Sequence, residues 1–170
     1  MQEDRVASSA YDRRKALDKE HSGTQHISRS PEETGEIGFR LGKRLKAGDI
    51  VCLFGDLGAG KTTLTKGIAK ALGIDERDVM SASFTFITEY DTNPPFVHID
   101  LYRIENGADL AELGLWSHIR GDSISVIEWA EKAEAELSSE NIIRVSLKYK
   151  SRDMREVIIE GIHEKDRDNR

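Results

Sequence analysis

Eight consecutive residues, Gly55-Asp56-Leu57-Gly58-Ala59-Gly60-Lys61-Thr62, constrain this chain more than any other stretch. They satisfy G-x-x-x-x-G-K-[ST], the phosphate-binding P-loop, whose flanks must be a strand and a helix. Both flanks are present. Asp49-Ile50-Val51-Cys52-Leu53-Phe54 is a short apolar, β-branched run that reads as a buried strand. Leu64, Ile68 and Leu72 then recur every four residues, and Gly73 supplies a helix stop. The glycines let backbone N–H groups turn toward phosphate oxygens, and the new helix aims its positive end at them. Lys61 is placed to reach the β- and γ-phosphates, and the Thr62 hydroxyl to bind Mg²⁺.

At 170 residues the chain is long enough for one core. Its 38% hydrophobic and 33% charged content is that of a globular domain. A net charge of −6 argues against a general nucleic-acid binder, whose affinity rests on neutralising phosphates with Lys and Arg. Contact with RNA through a basic patch or a partner protein stays open. Cys52 is the only cysteine, so no internal disulfide forms, and its place in a strand favours a small buried hydrophobe over a reactive thiol. No apolar run approaches membrane-spanning length, and the N-terminus lacks a signal peptide's apolar region, so the expected location is the cytoplasm, with no membrane contact. Residues 1–29 carry no sustained apolar period and read as a disordered extension. The expected domain is 30–163, followed by a charged tail, 164–170.

Order is expected to begin at Ser30. Ser30-Pro31-Glu32-Glu33 has an N-cap serine, proline at the first helical position and glutamate at the third. Ile37, Leu41 and Leu45 then line one face, with Gly48 closing the helix after Ala47. Beyond the P-loop helix, residues 84–90 and 96–100 flank the turn Asp91-Thr92-Asn93-Pro94-Pro95 and predict an antiparallel hairpin. A helix is expected over 108–119, a strand over 124–129, a helix carrying Ala130, Ala133 and Leu137, and a closing strand pair at 142–147 and 157–159. Two strands end in an acid, Val97-His98-Ile99-Asp100 and Ser125-Val126-Ile127-Glu128. An apolar strand ending in Asp or Glu is how P-loop proteins place a second metal-orienting group. One acid would hold Mg²⁺ through water and the other orient the attacking water; the residues alone do not say which.

Gly55 to Thr63, His98-Ile99-Asp100-Leu101-Tyr102-Arg103 and Ile127-Glu128-Trp129 follow one another at spacings that resemble the TsaE (YjeE) family of bacterial P-loop ATPases. The similarity covers roughly residues 30 to 160. It implies a three-layer α/β P-loop NTPase fold, with a mainly parallel sheet and antiparallel additions. It also implies Mg²⁺-dependent ATP hydrolysis, weak alone, serving N6-threonylcarbamoyladenosine formation on tRNA. There the family's ATPase works with TsaD and TsaB, and any tRNA contact is indirect or unknown. By the resemblance Lys61, Asp100 and Glu128 are catalytic, and Thr62, Glu128 and Asp100 serve the metal. Asp56, Leu57, Gly58, Ala59, Gly60, Lys61, Thr62, Thr63 and Trp129 hold the nucleotide, and Ser30 and Thr34 lie near its base.

Where the family usually reads S-P-T-F after the P-loop helix, this chain has Ser81-Ala82-Ser83-Phe84, without the proline that restrains its neighbour to extended backbone. His98 shares a strand face with Asp100 and reads equally as a packed histidine. Trp116 reads as a core or rim aromatic and Arg103 as a surface ion-pair partner, and Arg155 receives no role. The alternatives to an ATPase are a small-molecule kinase, against which the absence of an arginine-rich lid counts, and a non-enzymatic nucleotide-gated binding module.

Overall fold

The computed structural model describes residues 23–80, 86–119, 121–137 and 142–162. Its frame is one seven-stranded sheet in the order β1-β7-β6-β2-β5-β4-β3. The strands are β1 (Thr24–Ser28), β2 (Ile50–Phe54), β3 (Ile87–Tyr90), β4 (Phe96–Asp100), β5 (Ile124–Glu128), β6 (Ile142–Tyr149) and β7 (Arg155–Glu160). β2 runs parallel to both β5 and β6, and β4 parallel to β5. The edges are antiparallel: β3 on β4, β7 on β6, and β1 on β7. The expected hairpin, the closing strand pair and the mainly parallel sheet are all present.

All five residues of β2 are buried, as a strand with a layer on each face requires. Its side chains alternate between two cores. Val51 and Leu53 face Ile37, Leu41, Leu64 and Ile68 of helices α1 (Pro31–Gly42) and α2 (Lys61–Ala71). Ile50, Cys52 and Phe54 face the opposite layer. There Leu110, Leu115, Ala133 and Leu137 are supplied by α3 (Gly107–Leu113), α4 (Leu115–His118), a 3₁₀ turn over Ala130–Ala133 and α5 (Glu134–Leu137). Two cores on one sheet make the three layers. Burial pushes the Cys52 thiol up to about 12, so it stays a neutral packing group.

The two helices of the first core touch backbone to backbone. A Cβ on Gly67 of α2 would sit 2.0 Å from the Gly35 carbonyl oxygen of α1. Only a glycine admits that approach, and the contact fixes α1 beside the start of α2.

Four expectations are corrected. The extension does not reach residue 29, because Thr24–Ser28 pair along β7 from Thr24↔Ile159 to Ser28↔Arg155. An edge strand needs a partner on one side only, so it forms without a strong apolar period; residues 1–22 and the tail 164–170 lie outside the described residues. α1 ends at Gly42 rather than at Ala47, with Lys43 as its cap, while Leu45 still packs on the core from the following turn. The helix expected over 108–119 is two helices, because Gly114 takes φ 63° and stops the first. The helix expected after β5 opens as a 3₁₀ turn, since Trp129 before it is itself at φ 59°. Among the described residues no helix is long and apolar enough to cross a membrane.

Candidate functional site

The parallel strands β2, β5 and β4 end at one rim of the sheet, and every sequence-marked group near the phosphate loop gathers there. The loop leaves β2 at Phe54 and enters α2 at Lys61, with Gly60 at φ 104° as the N-cap. A side chain rarely adopts that backbone, and a Cβ would press toward Thr34 Cγ2 at 3.4 Å. The first amides of α2 have no acceptor within the helix, which makes its start a ready anion site. Ala59 is buried against the first core, while Leu57 stands out into solvent.

Lys61 is 4% exposed, and its ammonium donates to the carbonyls of Gly55 at 2.5 Å and Asp56 at 2.9 Å. Burial lowers its pKa below the ordinary lysine value, against the pull of Glu128, Glu131, Asp100 and Asp56. A cation held so far from water gains from an anion at its side. Above it lies the Trp129 ring, 3.6 Å from Nζ. The left-handed backbone at Trp129 turns the ring back over the loop, where it also meets Tyr102 at 5.1 Å between centroids. Lys132 donates to the carbonyls of Tyr102 and Ile104, tying the segment after β4 to the turn after β5.

Glu128 is 1% exposed and bonded on both oxygens. Thr62 Oγ1 donates to Oε2 at 2.8 Å. Thr65 Oγ1 lies 2.9 Å and His98 Nε2 3.0 Å from Oε1. Asp100 sits level with Glu128 on the adjacent strand, and its Oδ1 accepts from the Tyr102 amide at 3.0 Å. Among the described residues no cluster of three or more His, Cys, Asp or Glu side chains suits a metal. One hydroxyl and one or two carboxylates are nevertheless what Mg²⁺ uses when substrate phosphates and water complete its shell. The donor set fits Mg²⁺ with a nucleotide and does not fit a resident structural metal.

A cleft of about 320 Å³ is lined by Lys61, Thr62, Asp100, Arg103, Glu128 and Trp129, among others. On the other side of the loop a smaller recess of about 170 Å³ is lined by Ser30, Thr34, Arg152 and Arg155. Gly58, Gly60 and Thr63 border both. The structure thus gathers Lys61, Thr62, Asp100, Glu128 and Trp129 in one cleft and sets Ser30 and Thr34 apart in the recess. Ser30 Oγ accepts from the Glu33 amide at 3.2 Å, the expected cap. Thr34 Oγ1 is 2.7 Å from Ser28 Oγ, so the side it turns to the loop is its methyl.

Several groups in or bonded to the site were missed or left without a role by the sequence reading. Thr65 had a signal, lying one helical turn after Lys61. Arg152, Arg155 and Tyr149, whose hydroxyl donates to the Gly58 carbonyl at 2.8 Å, had none, because the β6–β7 pairing brings them from far along the chain. The loop at 81–84 lies outside the described residues.

The chain matches the family model described as threonylcarbamoyl adenosine biosynthesis protein TsaE over residues 28–157. It is 40% identical over 134 residues to the tRNA threonylcarbamoyladenosine biosynthesis protein TsaE of Bacillus subtilis, covering 78% of this chain and 82% of that one. To the protein of the same name from Treponema pallidum it is 35% identical over 133 residues, covering 78% and 97%. A crystal structure of Bacillus subtilis YdiB superposes with a TM-score of 0.68 at 33% identity, over 85% of this chain and 88% of that one. Sequence, fold and phosphate loop agree: the chain belongs to the TsaE family of threonylcarbamoyl adenosine biosynthesis proteins.

Proposed function

We propose that this protein hydrolyses ATP with Mg²⁺ and couples that hydrolysis to threonylcarbamoyladenosine formation on tRNA, together with TsaD and TsaB. The observation that carries the reading is the Thr62–Glu128 hydrogen bond at 2.8 Å beside the buried Lys61 ammonium. It pairs the loop hydroxyl and a strand-end acid where a P-loop ATPase needs its metal partners. The loop amides and Lys61 bind the β- and γ-phosphates. Thr62 and Glu128 would hold Mg²⁺, which would neutralise charge on the phosphate oxygens. Asp100, level with Glu128 on β4, is assigned to orient the attacking water, whose oxygen bonds to the γ-phosphorus as the bond to the β,γ-bridging oxygen breaks; ADP leaves with that oxygen, and the water's proton ends on the released phosphate. Trp129 closes the cleft over the lysine. Ser30, Thr34 and the recess behind the loop take the nucleoside end.

The isolated protein is expected to turn over slowly, because groups that position water in P-loop enzymes often come from a partner. The test is a reconstitution with matched TsaB and TsaD that reads phosphate release and modified tRNA together. Stimulated hydrolysis and repeated tRNA modification that require Lys61, Asp100 and Glu128 are the expected result. No stimulation and no effect on tRNA turnover would overturn the coupling.

A further inference from the structure

The two oxygens of Glu128 have different surroundings. Oε2 meets the Thr62 hydroxyl, at the edge of the cleft. Oε1 is turned inward and met by His98 Nε2 at 3.0 Å and Thr65 Oγ1 at 2.9 Å. Thr65 has one proton, and the Lys61 carbonyl oxygen also lies 3.0 Å from its oxygen, so that donor is divided between two acceptors. His98 is 3% exposed on β4, next to β5, where its Cα pairs with Val126. From there its ring reaches Glu128 across the α2 face of the sheet. A carboxylate gripped at one oxygen by a buried ring, whose two side-chain torsions are held by the packing around it, keeps its plane, and the other oxygen keeps its aim.

We propose that His98 is a positioning residue: by donating from Nε2 to Glu128 Oε1 it orients Oε2, with Thr62, toward the divalent cation that accompanies the nucleotide. Buried hydrogen-bond partners behind a ligating carboxylate fix the ligand's orientation and raise the site's affinity. The His98 bond reaches the phosphate loop only through Glu128, whose other oxygen meets Thr62. The histidine therefore acts on the metal and leaves the metal-free nucleotide complex alone. This rests on the ATP and Mg²⁺ reading above.

The test uses the full chain and a non-hydrolysable ATP analogue. Glutamine places its Nε2 near the position of the imidazole Nε2, whereas asparagine ends one bond short. Thermal shift with the analogue is followed as Mg²⁺ is titrated, and analogue affinity is measured separately in EDTA. His98→Asn is expected to weaken the apparent Mg²⁺ affinity about tenfold or more. It should change analogue affinity in EDTA less than about twofold, and His98→Gln should recover most of the Mg²⁺ response. Equal Mg²⁺ affinity in parent and His98→Asn overturns the proposal, as does a loss shared by both variants. If neither variant folds, the histidine is a packing residue and the proposal falls. A parent that shows no Mg²⁺ response sinks the metal reading itself, which separates that failure from the failure of His98.

Discussion

At the scale of the residue, Lys61 shows how the site is held against its own stability. Its ammonium is buried, with a pKa lowered chiefly by desolvation, so the folded state binds that proton less readily than the unfolded chain. For a lysine of lowered pKa, the cost is fully present below the folded-state value and disappears as pH rises through the unfolded one. Lys61→Met should therefore melt no lower than the parent at neutral pH, while ATP affinity falls at least about tenfold through loss of a charge-assisted bond. Calorimetry and nucleotide titration of the same preparation check both halves. A large drop in melting temperature would show that the two carbonyl bonds and the Trp129 ring outweigh desolvation. Lys61, Thr62, Asp100 and Glu128 were legible because their chemistry depends on local pattern, a loop of fixed spacing and two apolar strands ending in acids. His98 stood undecided because its partner, Glu128, lies thirty residues away on the neighbouring strand.

Among elements, the contact that most depends on a missing side chain is α1 against α2. Gly67→Ala would drive a methyl into the Gly35 carbonyl, with backbone rather than a flexible side chain in the way. A cost of at least about 2 kcal/mol is expected, read as a lower midpoint in urea with an unchanged slope. Because α2 begins at the P-loop, nucleotide affinity should fall with it. The long periodic segments were readable for a physical reason: β2 and the two helices over it repeat apolar residues at the spacing their own geometry demands. β1 was not. Its five residues are mostly exposed or half-buried and include one aliphatic side chain, Ile27, and its order comes from β7, more than a hundred residues on. The break at Gly114 was missed because leucines on both sides keep an approximate helical period across a glycine in left-handed backbone.

For the whole molecule, β1 makes the sheet seven strands wide and joins its edge to the site. Ser28, buried at the end of β1, is hydrogen-bonded to Thr34, and Gln25 donates to Glu156 at 2.5 Å. A chain beginning at residue 30 is expected to melt several degrees below one beginning at residue 23, with weaker nucleotide binding through Thr34. Equal melting curves for the two would show that β1 adds nothing to the domain.

The strand directions also set the rim at which β1 begins and β7 ends. β1 enters the sheet at Thr24, opposite Ile159 near the end of β7, and leaves it at Ser28, opposite Arg155 beside the recess. A Cβ on Gly23 would lie 3.0 Å from Glu160 Cγ, so the first described residue and the close of the last strand meet. They meet at the rim opposite the phosphate loop. A tag or surface tether attached to residue 23 or 162 would leave the nucleotide cleft facing away from it. A short linker between those two positions would close the domain into a ring, from which new termini could be cut without crossing the catalytic rim.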